Sequence, residues 1–340
     1  MNKTDTAYKE IKNRLIEQYW KPGEKITSER NLATLFHVSR VTIKAAIDKL
    51  IDEGYLGYIE GKKGTFVTNV NNLKNGSKTI CVAIDNKTPA FSSFLLEGIH
   101  NTLLNKGYHT LYFNTLFNKD NIFEQISNLI NDDISGFIFA PLMGNYNIEN
   151  NFKIINLIKS NNIPLVQVDR YITLDYGSYV GTNNNKAFYN LTKRLIDKGY
   201  KSILVASGYT TSSSDEKKAG IKAALKNNNI PYNEIVINET DFVVSNKLEI
   251  DEKTKKEINN SDAIIGMNQN ICRAIKKINN TKYMASISAS KEECENNMSA
   301  IHQMYEIGKE SGRIMIEAIE ENNDTQKTIF INAPIIERQV

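Results

Sequence analysis

Residues 22–67 read PGEKITSERNLATLFHVSRVTIKAAIDKLIDEGYLGYIEGKKGTFV, and the architecture of the N-terminal part can be worked out from this segment. Ser28 can cap a helix over Glu29–Phe36. Ser39 can cap a longer helix that ends near Glu53. Because only a short turn separates the two helices, the spacing is typical of a helix-turn-helix, whose second helix enters the major groove of DNA.

A further helix and a two-stranded hairpin are predicted on either side of this pair. Thr6–Tyr19 has apolar residues at helical spacing. Tyr55–Ile59 and Thr65–Val67 are typical of short paired strands around a basic, glycine-containing tip. The residues expected to fill the core of the first two helices are Tyr8, Ile11, Leu15, Ile16, Tyr19, Leu32, Ala33, Leu35 and Phe36. The hairpin makes this a winged helix-turn-helix.

The charge of the chain is concentrated in the same segment. The 340 residues carry 42 Lys and Arg against 39 Asp and Glu, a formal net charge of +3. Residues 1–70 hold 12 and 9 of these, so all of the net charge falls there. A basic domain beside an electrically neutral remainder indicates a polyanionic partner such as nucleic acid.

Composition also excludes several classes of protein. There is no N-terminal signal pattern and no apolar run of about 18 residues, so we expect a cytoplasmic protein without a membrane segment. Cys81, Cys272 and Cys294 are far apart, and neither they nor the four histidines have the spacing of a metal site. We therefore expect reduced thiols, no metal and no cofactor.

The N-terminal segment resembles the DNA-binding domain of the GntR family of transcriptional regulators. The resemblance rests on an ordered set of motifs, namely Pro22-Gly23, Ser28-Glu29-Arg30, Leu32-Ala33, Val38-Ser39-Arg40, Thr42, Glu53-Gly54-Tyr55-Leu56 and Gly64-Thr65-Phe66-Val67. It implies that two sets of residues contact DNA, Arg30, Ser39, Arg40, Thr42 and Lys44 on the helices and Gly61, Lys62, Lys63 and Gly64 on the wing. Family members often have arginine where Lys44 stands, and lysine cannot make the bidentate contact of arginine to guanine.

After an Asn-rich segment the pattern changes to alternating short apolar strands and helices. We predict a DNA-binding domain at residues 1–69, a linker at residues 70–78 and an α/β domain at residues 79–340. Near-continuous apolar strands separated by helices indicate parallel sheets covered on both faces. Gly107-Tyr108 and Gly199-Tyr200 each end a helix just before a strand, which indicates two similar halves. The expected fold is a two-lobed, doubly wound parallel α/β sensor domain with a ligand crevice between the lobes.

This second part resembles the effector domain of LacI-family regulators, a type 1 periplasmic-binding-protein fold. The motifs that carry the resemblance are Ile80–Ile84, Gly98, Gly136-Phe137-Ile138, Pro164–Arg170, Val180-Gly181, Gly220, Asp262–Asn268 and Ile307-Gly308. It implies an effector site that includes Phe91, Asp169, Arg170, Lys217, Asn268 and Gln269. An aromatic ring with carboxylate, ammonium and amide groups suits a sugar-sized polyol.

Simpler roles for these residues remain open from sequence alone. Phe91 could be core, Asp169 could orient Arg170, and Lys217 could be a solvated helix residue. The family usually has arginine where Lys217 stands and an acidic residue where this chain has Ser288-Ala289-Ser290. The GntR-like domain also replaces the helix-turn-helix and hinge helix that LacI-family proteins usually carry.

The predicted function is a DNA-binding transcriptional regulator, a repressor that a sugar-like effector releases from its operator. Two copies in a homodimer would bind two half-sites of a pseudo-palindromic operator. Alternatives are a regulator that senses a nucleoside or sugar phosphate, a GntR-like domain fused to an enzyme-derived domain, and a transport binding protein. The sequence contains no phosphate loop, nucleophile-base pair or cofactor lysine motif in a suitable context, so we expect no enzymatic activity.

Overall fold

The computed structural model describes residues 3–16, 19–59, 61–68, 78–86, 89–115, 122–131, 134–144, 147–237, 250–320 and 325–338. The chain forms two compact units, Met1–Lys78 with Asp133–Ser135, and Thr79–Asp132 with Gly136–Val340. The predicted linker, residues 70–78, lies outside the described residues except for Lys78. No helix within the described ranges is long and apolar enough to cross a membrane.

The first unit contains three helices and a small antiparallel hairpin. They are α1 (Lys3–Ile16), α2 (Glu29–Leu35), α3 (Arg40–Asp52), β1 (Leu56–Gly57) and β2 (Phe66–Val67). The core residues come from every element, with Ile11, Leu32, Ile47 and Leu56 all buried. This arrangement confirms the predicted winged helix-turn-helix.

Both predicted caps of the two central helices are present. The Ser28 hydroxyl accepts a hydrogen bond from the Asn31 amide at 3.3 Å, and the Ser39 hydroxyl accepts one from the Thr42 amide at 3.1 Å. Each bond satisfies an amide that the helix itself leaves without a partner. Gly54 follows α3 with φ +78°, a left-handed conformation that glycine adopts without steric cost.

Some details of the sequence prediction for this unit are wrong. Tyr19, predicted as the last core residue of the first helix, lies in a bend and is 63% exposed, while the neighbouring Trp20 is buried. Leu35, predicted as core, is 49% exposed at the last position of its helix. The strands of the wing are only two residues long, so Tyr58 lies in the loop and is exposed.

The second unit has two lobes, each built on a six-stranded sheet within the described residues. The first lobe begins with β3 (Thr79–Ile84), α4 (Pro89–Leu104), β4 (His109–Asn114), α5 (Ile122–Asn131), β5 (Gly136–Phe139), α6 (Ile148–Ser160), β6 (Leu165–Val168) and β7 (Ser178–Thr182). The second lobe comprises α7 (Asn184–Asp197), β8 (Ile203–Ser207), α8 (Ser212–Asn227), β9 (Asn233–Val236), α9 (Glu252–Asn260), β10 (Ala263–Gly266), α10 (Gln269–Lys276), β11 (Tyr283–Ser288) and β12 (Met298–Ile301). Strands and helices alternate along both lobes, as the sequence pattern predicts.

The C-terminal segment, whose elements the sequence patterns do not predict, returns to the first lobe before ending in the second. It contains α11 (Met304–Glu320), β13 (Thr328–Ile331) and β14 (Ile335–Glu337). The strand β13 pairs in parallel with β7, whereas β14 pairs antiparallel with β12. The chain thus passes between the lobes after β7, after β12 and after β13.

The sheet orders determine where a ligand can bind. They are β13-β7-β6-β5-β3-β4 in the first lobe and β14-β12-β11-β10-β8-β9 in the second. In each sheet the strand order reverses between the first and third strands, and a crevice forms at that point outside the carboxyl ends of the strands. These strand ends carry Asp85 after β3, Asp169 after β6 and Asn268 after β10. The doubly wound, two-lobed prediction is therefore confirmed.

Candidate functional site

The N-terminus of α3 presents four of the predicted DNA-contacting residues. Ser39, Arg40 and Lys44 are exposed, and Thr42 is half-buried. The Ser39 and Thr42 hydroxyls lie 2.8 Å apart and hydrogen-bond to each other. Because the Ser39 hydroxyl also caps the helix, it has a structural role whatever it contacts in a complex.

Arg40 is held in place by an acidic residue of the preceding helix. Its Nε donates to Glu29 Oε2 at 2.9 Å, although the Arg40 side chain is 73% exposed. A guanidinium has five N–H donors in a fixed plane, so this bond orients the group while using one donor. Arg30 follows Glu29 on α2 and is exposed as well.

The wing presents a basic tip beside a cation that the sequence prediction does not include. Gly61, Lys62 and Lys63 are exposed, and Gly64 is half-buried with φ +123°. A Cβ atom at Gly64 would collide with the end of the Lys25 side chain, and Lys25 forms a β-bridge with Phe66 at the base of the wing. Lys25 therefore contributes a third positive charge next to Lys62 and Lys63.

Val41 is a second residue that the sequence prediction does not include among the functional ones. It is 78% exposed, although it lies between Arg40 and Thr42 at the start of α3. An isopropyl group on a helix that enters the major groove can contact the methyl group of thymine. In the sequence, only its position beside Arg40 and Thr42 could indicate a contact with DNA, because helical spacing alone groups Val41 with the apolar face of the helix.

In the first lobe, Asp169 and Arg170 form a buried ion-paired network with Asp85. Arg170 contacts Asp85 Oδ2 at 2.6 Å and Asp169 Oδ2 at 2.5 Å, and its Nε donates to the Pro141 carbonyl oxygen at 2.5 Å. The two carboxylates raise the pKa of Arg170 against the opposing effect of burial. Asp169 has φ +64°, a left-handed conformation that aspartate tolerates better than most residues. The sequence prediction does not include Asp85, the second carboxylate that pairs with Arg170.

In the second lobe, Lys217 is buried against the end of β10. Its Nζ donates to the Met267 carbonyl oxygen at 3.1 Å and lies 5.5 Å from the centre of the Phe188 ring. The solvated-residue interpretation of Lys217 is therefore wrong. Asn268 caps α10, because its Oδ1 accepts from the Ile271 amide at 3.0 Å. The Gln269 side chain donates to the Glu293 carbonyl oxygen, so the structure directs it toward the loop before β12.

Phe91 and Lys217 both lie near His302, which belongs to the second of the three segments that pass between the lobes. The Phe91 and His302 rings form an edge contact with centroids 5.3 Å apart, and His302 Nδ1 lies 2.7 Å from Thr182 Oγ1. Burial, with a smaller contribution from the charge of Lys217, lowers the pKa of His302 to about 3. The His302 imidazole, in contact with Phe91 and Thr182, is therefore neutral at neutral pH.

The two lobes also touch directly near Asp169. The Tyr171 amide of the first lobe donates to Ser212 Oγ at the start of α8 in the second, at 2.8 Å. The Tyr171 ring packs edge-on against Tyr179, with centroids 4.8 Å apart. Glu216, one turn further along α8, accepts from Asn184 Nδ2 at 3.1 Å. Polar groups of both lobes thus meet at this end of the crevice.

Two family models match the chain, and together they span nearly all of it. Residues 3–67 match the model "Bacterial regulatory proteins, gntR family". Residues 77–339 match the model "Periplasmic binding proteins and sugar binding domain of LacI family". Only the short segment between Val67 and residue 77 separates the two matches.

Two curated relatives are described as "Arabinose metabolism transcriptional repressor". The protein of Geobacillus stearothermophilus is 31% identical over 199 residues, and that of Halalkalibacterium halodurans is 26% identical over 200 residues. Each alignment covers 57% of this chain and 53% of the relative, so the chain spans about half the length of these relatives.

A solved structure has the same fold at low sequence identity. It is the periplasmic binding protein/LacI transcriptional regulator of Alkaliphilus metalliredigens, complexed with D-xylulofuranose. The TM-score is 0.63 at 18% identity, over 77% of this chain and 98% of that one. The similarity establishes the two-lobed architecture of the second unit.

Proposed function

This chain belongs to the family of periplasmic binding proteins and LacI-type sugar-binding domains and carries a gntR-family domain before it, and from this premise we propose that it is a transcriptional repressor that a small sugar-like effector releases from its operator. The observation that carries the proposal is the combination, in one chain, of an exposed helix N-terminus in a winged helix-turn-helix and a two-lobed crevice lined with polar groups. The proposal assigns the protein no catalytic activity and a cytoplasmic location, where it can reach DNA.

DNA recognition is assigned to the start of α3 and to the wing. Arg40 and Lys44 are proposed to read base edges in the major groove, with Ser39, Thr42 and Arg30 close to the backbone. Gly61 and Gly64 let the wing turn tightly, and Lys62 and Lys63 supply charge to adjacent phosphates. The hydrogen bond from Arg40 to Glu29 supports this role, because it orients the guanidinium before DNA arrives.

Effector binding is assigned to the crevice between the two lobes. We propose that Asp169, Arg170 and Lys217 line it, together with Phe91, which packs against His302 and the core of the first lobe. Since the curated relatives are arabinose metabolism repressors, we propose a pentose or a compound of similar size as the effector. Asn268 and Gln269 hydrogen-bond within the protein, so they are proposed to shape the site more than to contact the ligand.

Coupling is proposed to occur through a homodimer that binds a pseudo-palindromic operator. An effector that binds the closed lobes more tightly than the open lobes shifts the population toward closure. In a dimer this changes the separation of the two winged domains, and only one separation matches the spacing of the half-sites. The effector releases DNA to the extent of its differential affinity for the two states.

Operator binding can be tested with DNA that the intact chain selects from a random library. Arg40→Ala should lower the affinity about 5- to 150-fold, since a specific contact to a base is worth about 1–3 kcal/mol. Arg273→Ala is a matched control, because Arg273 is also paired with a glutamate at the surface but lies in the second unit. Removal of Lys62 and Lys63 should flatten the salt dependence of binding. Equal affinities of the Arg40 and Arg273 variants would contradict the assigned role.

Sensing can be tested separately by thermal shift. A specific sugar should stabilise the second unit by mass action and, in a second measurement, reduce affinity for the selected DNA. Stabilisation without an effect on DNA would leave a sugar-binding protein that does not respond as proposed. A panel without any stabilising sugar would contradict the sensor role.

A further inference from the structure

The crevice contains two buried cations that are already committed to contacts within the protein. Arg170 is 6% exposed and is shared between Asp85, Asp169 and the Pro141 carbonyl oxygen. Lys217 is 8% exposed and donates to the Met267 carbonyl oxygen while lying over the Phe188 ring. An anionic ligand would have to compete with two carboxylates for Arg170 and with a backbone carbonyl for Lys217.

A buried acceptor atom without a donor lies beside Glu216 in the second lobe. Asn184 is 1% exposed at the start of α7, and its Nδ2 donates to Glu216 Oε2 at 3.1 Å. The Oδ1 atom of the same amide is buried and has no hydrogen-bond partner among the described residues. Leaving a buried acceptor without a donor is costly, so an atom of this kind needs a partner, which a ligand, an ion or water can supply.

Glu216 adds a charged acceptor at the same place. Burial raises its pKa most, and the nearby charge of Asp169 raises it further, while the Asn184 hydrogen bond and Lys217 lower it. Tyr171 and Tyr179 of the first lobe also lie within range of this carboxylate. A donor placed between Glu216 and Asp169 would relieve the repulsion between the two carboxylates across the crevice.

We infer that Glu216 and Asn184 form a subsite that accepts hydrogen bonds from adjacent hydroxyl groups of an uncharged polyol, and that the crevice rejects the phosphorylated form of the same sugar. This inference rests on the proposed function, since it specifies the effector of that crevice. Two vicinal hydroxyls supply two donors, which the Asn184 Oδ1 atom and the Glu216 carboxylate can each accept.

Charge explains the rejection of a phosphate. A phosphoryl group brings a charge of about −1.5 to −2 at neutral pH and only acceptor oxygens. Near Glu216 and Asp169, the phosphoryl group could donate no hydrogen bond to either carboxylate. The N-terminus of α8 attracts anions in general, but Asp215 in its first turn already complements the helix dipole.

The test compares neutral sugars with their phosphates on the full chain. Isothermal titration with L-arabinose, D-ribose and D-xylose should give at least one binder. The 5-phosphate of that binder should bind at least about 10-fold more weakly. Glu216→Gln keeps the shape of the side chain but exchanges one hydrogen-bond acceptor for a donor. It should lower the affinity for the neutral sugar about 10-fold and reduce the ratio of the affinities for the neutral sugar and its phosphate. Asn184→Ala should weaken the neutral sugar by a similar factor.

Asp215→Asn is the matched control, because it removes the same charge from the same turn of α8 at an exposed position. It should leave the affinity for the neutral sugar within about 2-fold of the unaltered chain. Tighter binding of the phosphate, or equal effects of the Glu216 and Asp215 variants, would overturn the subsite. Circular dichroism identifies any variant that is misfolded. If one of the Glu216 and Asn184 variants is misfolded, the other one tests the subsite. A chain that binds no sugar of either class contradicts the proposed function instead, so the two failures are distinguishable.

Discussion

His302 should make the stability of the second unit depend on pH. This residue lies in the crossing between β12 and α11, against Phe91 and within hydrogen-bond distance of Thr182. Its pKa falls from 6.5 to about 3, first because burial disfavours the charged ring and then because of Lys217. Since the unfolded chain binds a proton at this position below about pH 6.5, stability is complete above that pH and declines as the pH falls toward 3.

The size of the effect follows from the two pKa values. A pH of 5 is about 1.5 pH units below the pKa of histidine in the unfolded chain, so that histidine is largely protonated, whereas the folded one is neutral. At about 1.4 kcal/mol per unit, the second unit should lose about 2 kcal/mol between pH 8 and pH 5 through this residue. His302 is partly exposed, so screening by water makes this figure a ceiling.

The assay is urea denaturation followed by far-ultraviolet circular dichroism at pH 8 and pH 5, for the original chain and for His302→Asn. Asparagine keeps a group that can hydrogen-bond to Thr182 but does not titrate. The loss of stability between the two pH values should be smaller in the variant by up to about 2 kcal/mol. Equal losses in both proteins would refute the reasoning. If the variant does not fold at pH 8, nuclear magnetic resonance of the original chain should find the His302 ring neutral down to pH 5, and titration near pH 6.5 would refute it equally.

Two further predictions concern recognition of DNA and the first lobe. Val41→Ala should weaken binding to selected DNA about 2- to 5-fold. Replacing one thymine of the half-site by uracil, which lacks the methyl group, should weaken binding by a similar factor in the original chain but not in the Val41 variant. If the losses from the two changes add at every thymine, a methyl contact is excluded. Gly308→Ala in α11 should destabilise the second unit by about 1–3 kcal/mol in urea denaturation, because the added methyl would collide with the Leu95 carbonyl oxygen of α4. Gly312→Ala is the control on the same helix, since its nearest neighbour is a side-chain atom of Thr102 at 3.0 Å, and a loss as large as that at Gly308 would contradict the steric explanation.

Local features of the fold can be predicted because short-range physical chemistry determines them. The Ser39 cap depends on a hydroxyl three residues before the amide that it satisfies, and the Ser28 cap depends on the same spacing. The sequence patterns misplace Tyr19 and Leu35 because helical spacing alone does not indicate where a helix ends. The elements that follow β12 are not predicted, since the return of α11 to the first lobe depends on contacts with α4, about 200 residues earlier.

The candidate site is harder to predict for the same reason. The resemblance to LacI-family regulators implies Asp169 and Arg170 as site residues, but their partner Asp85 becomes apparent only when β3 and β6 lie in one sheet. The partnership of Asn184 with Glu216 joins the starts of two helices that are 32 residues apart. Neither residue type at its own position indicates a ligand, because Asn and Glu are common near helix N-termini for capping and dipole reasons.

In the proposed function, the three lobe crossings would connect effector binding to lobe closure more directly than the predicted site residues alone. The Asn183 amide of the first crossing donates to the Ile331 carbonyl oxygen of the third, at 2.8 Å. His302 of the second crossing lies 2.7 Å from Thr182 of the first. Because the crossings are hydrogen-bonded to one another, a rotation of the lobes must change the backbone of all three together. Phe91 contacts His302 of the second crossing, so the proposed effector, bound beside these residues, would act on the hinge itself and would need no longer path through the lobes.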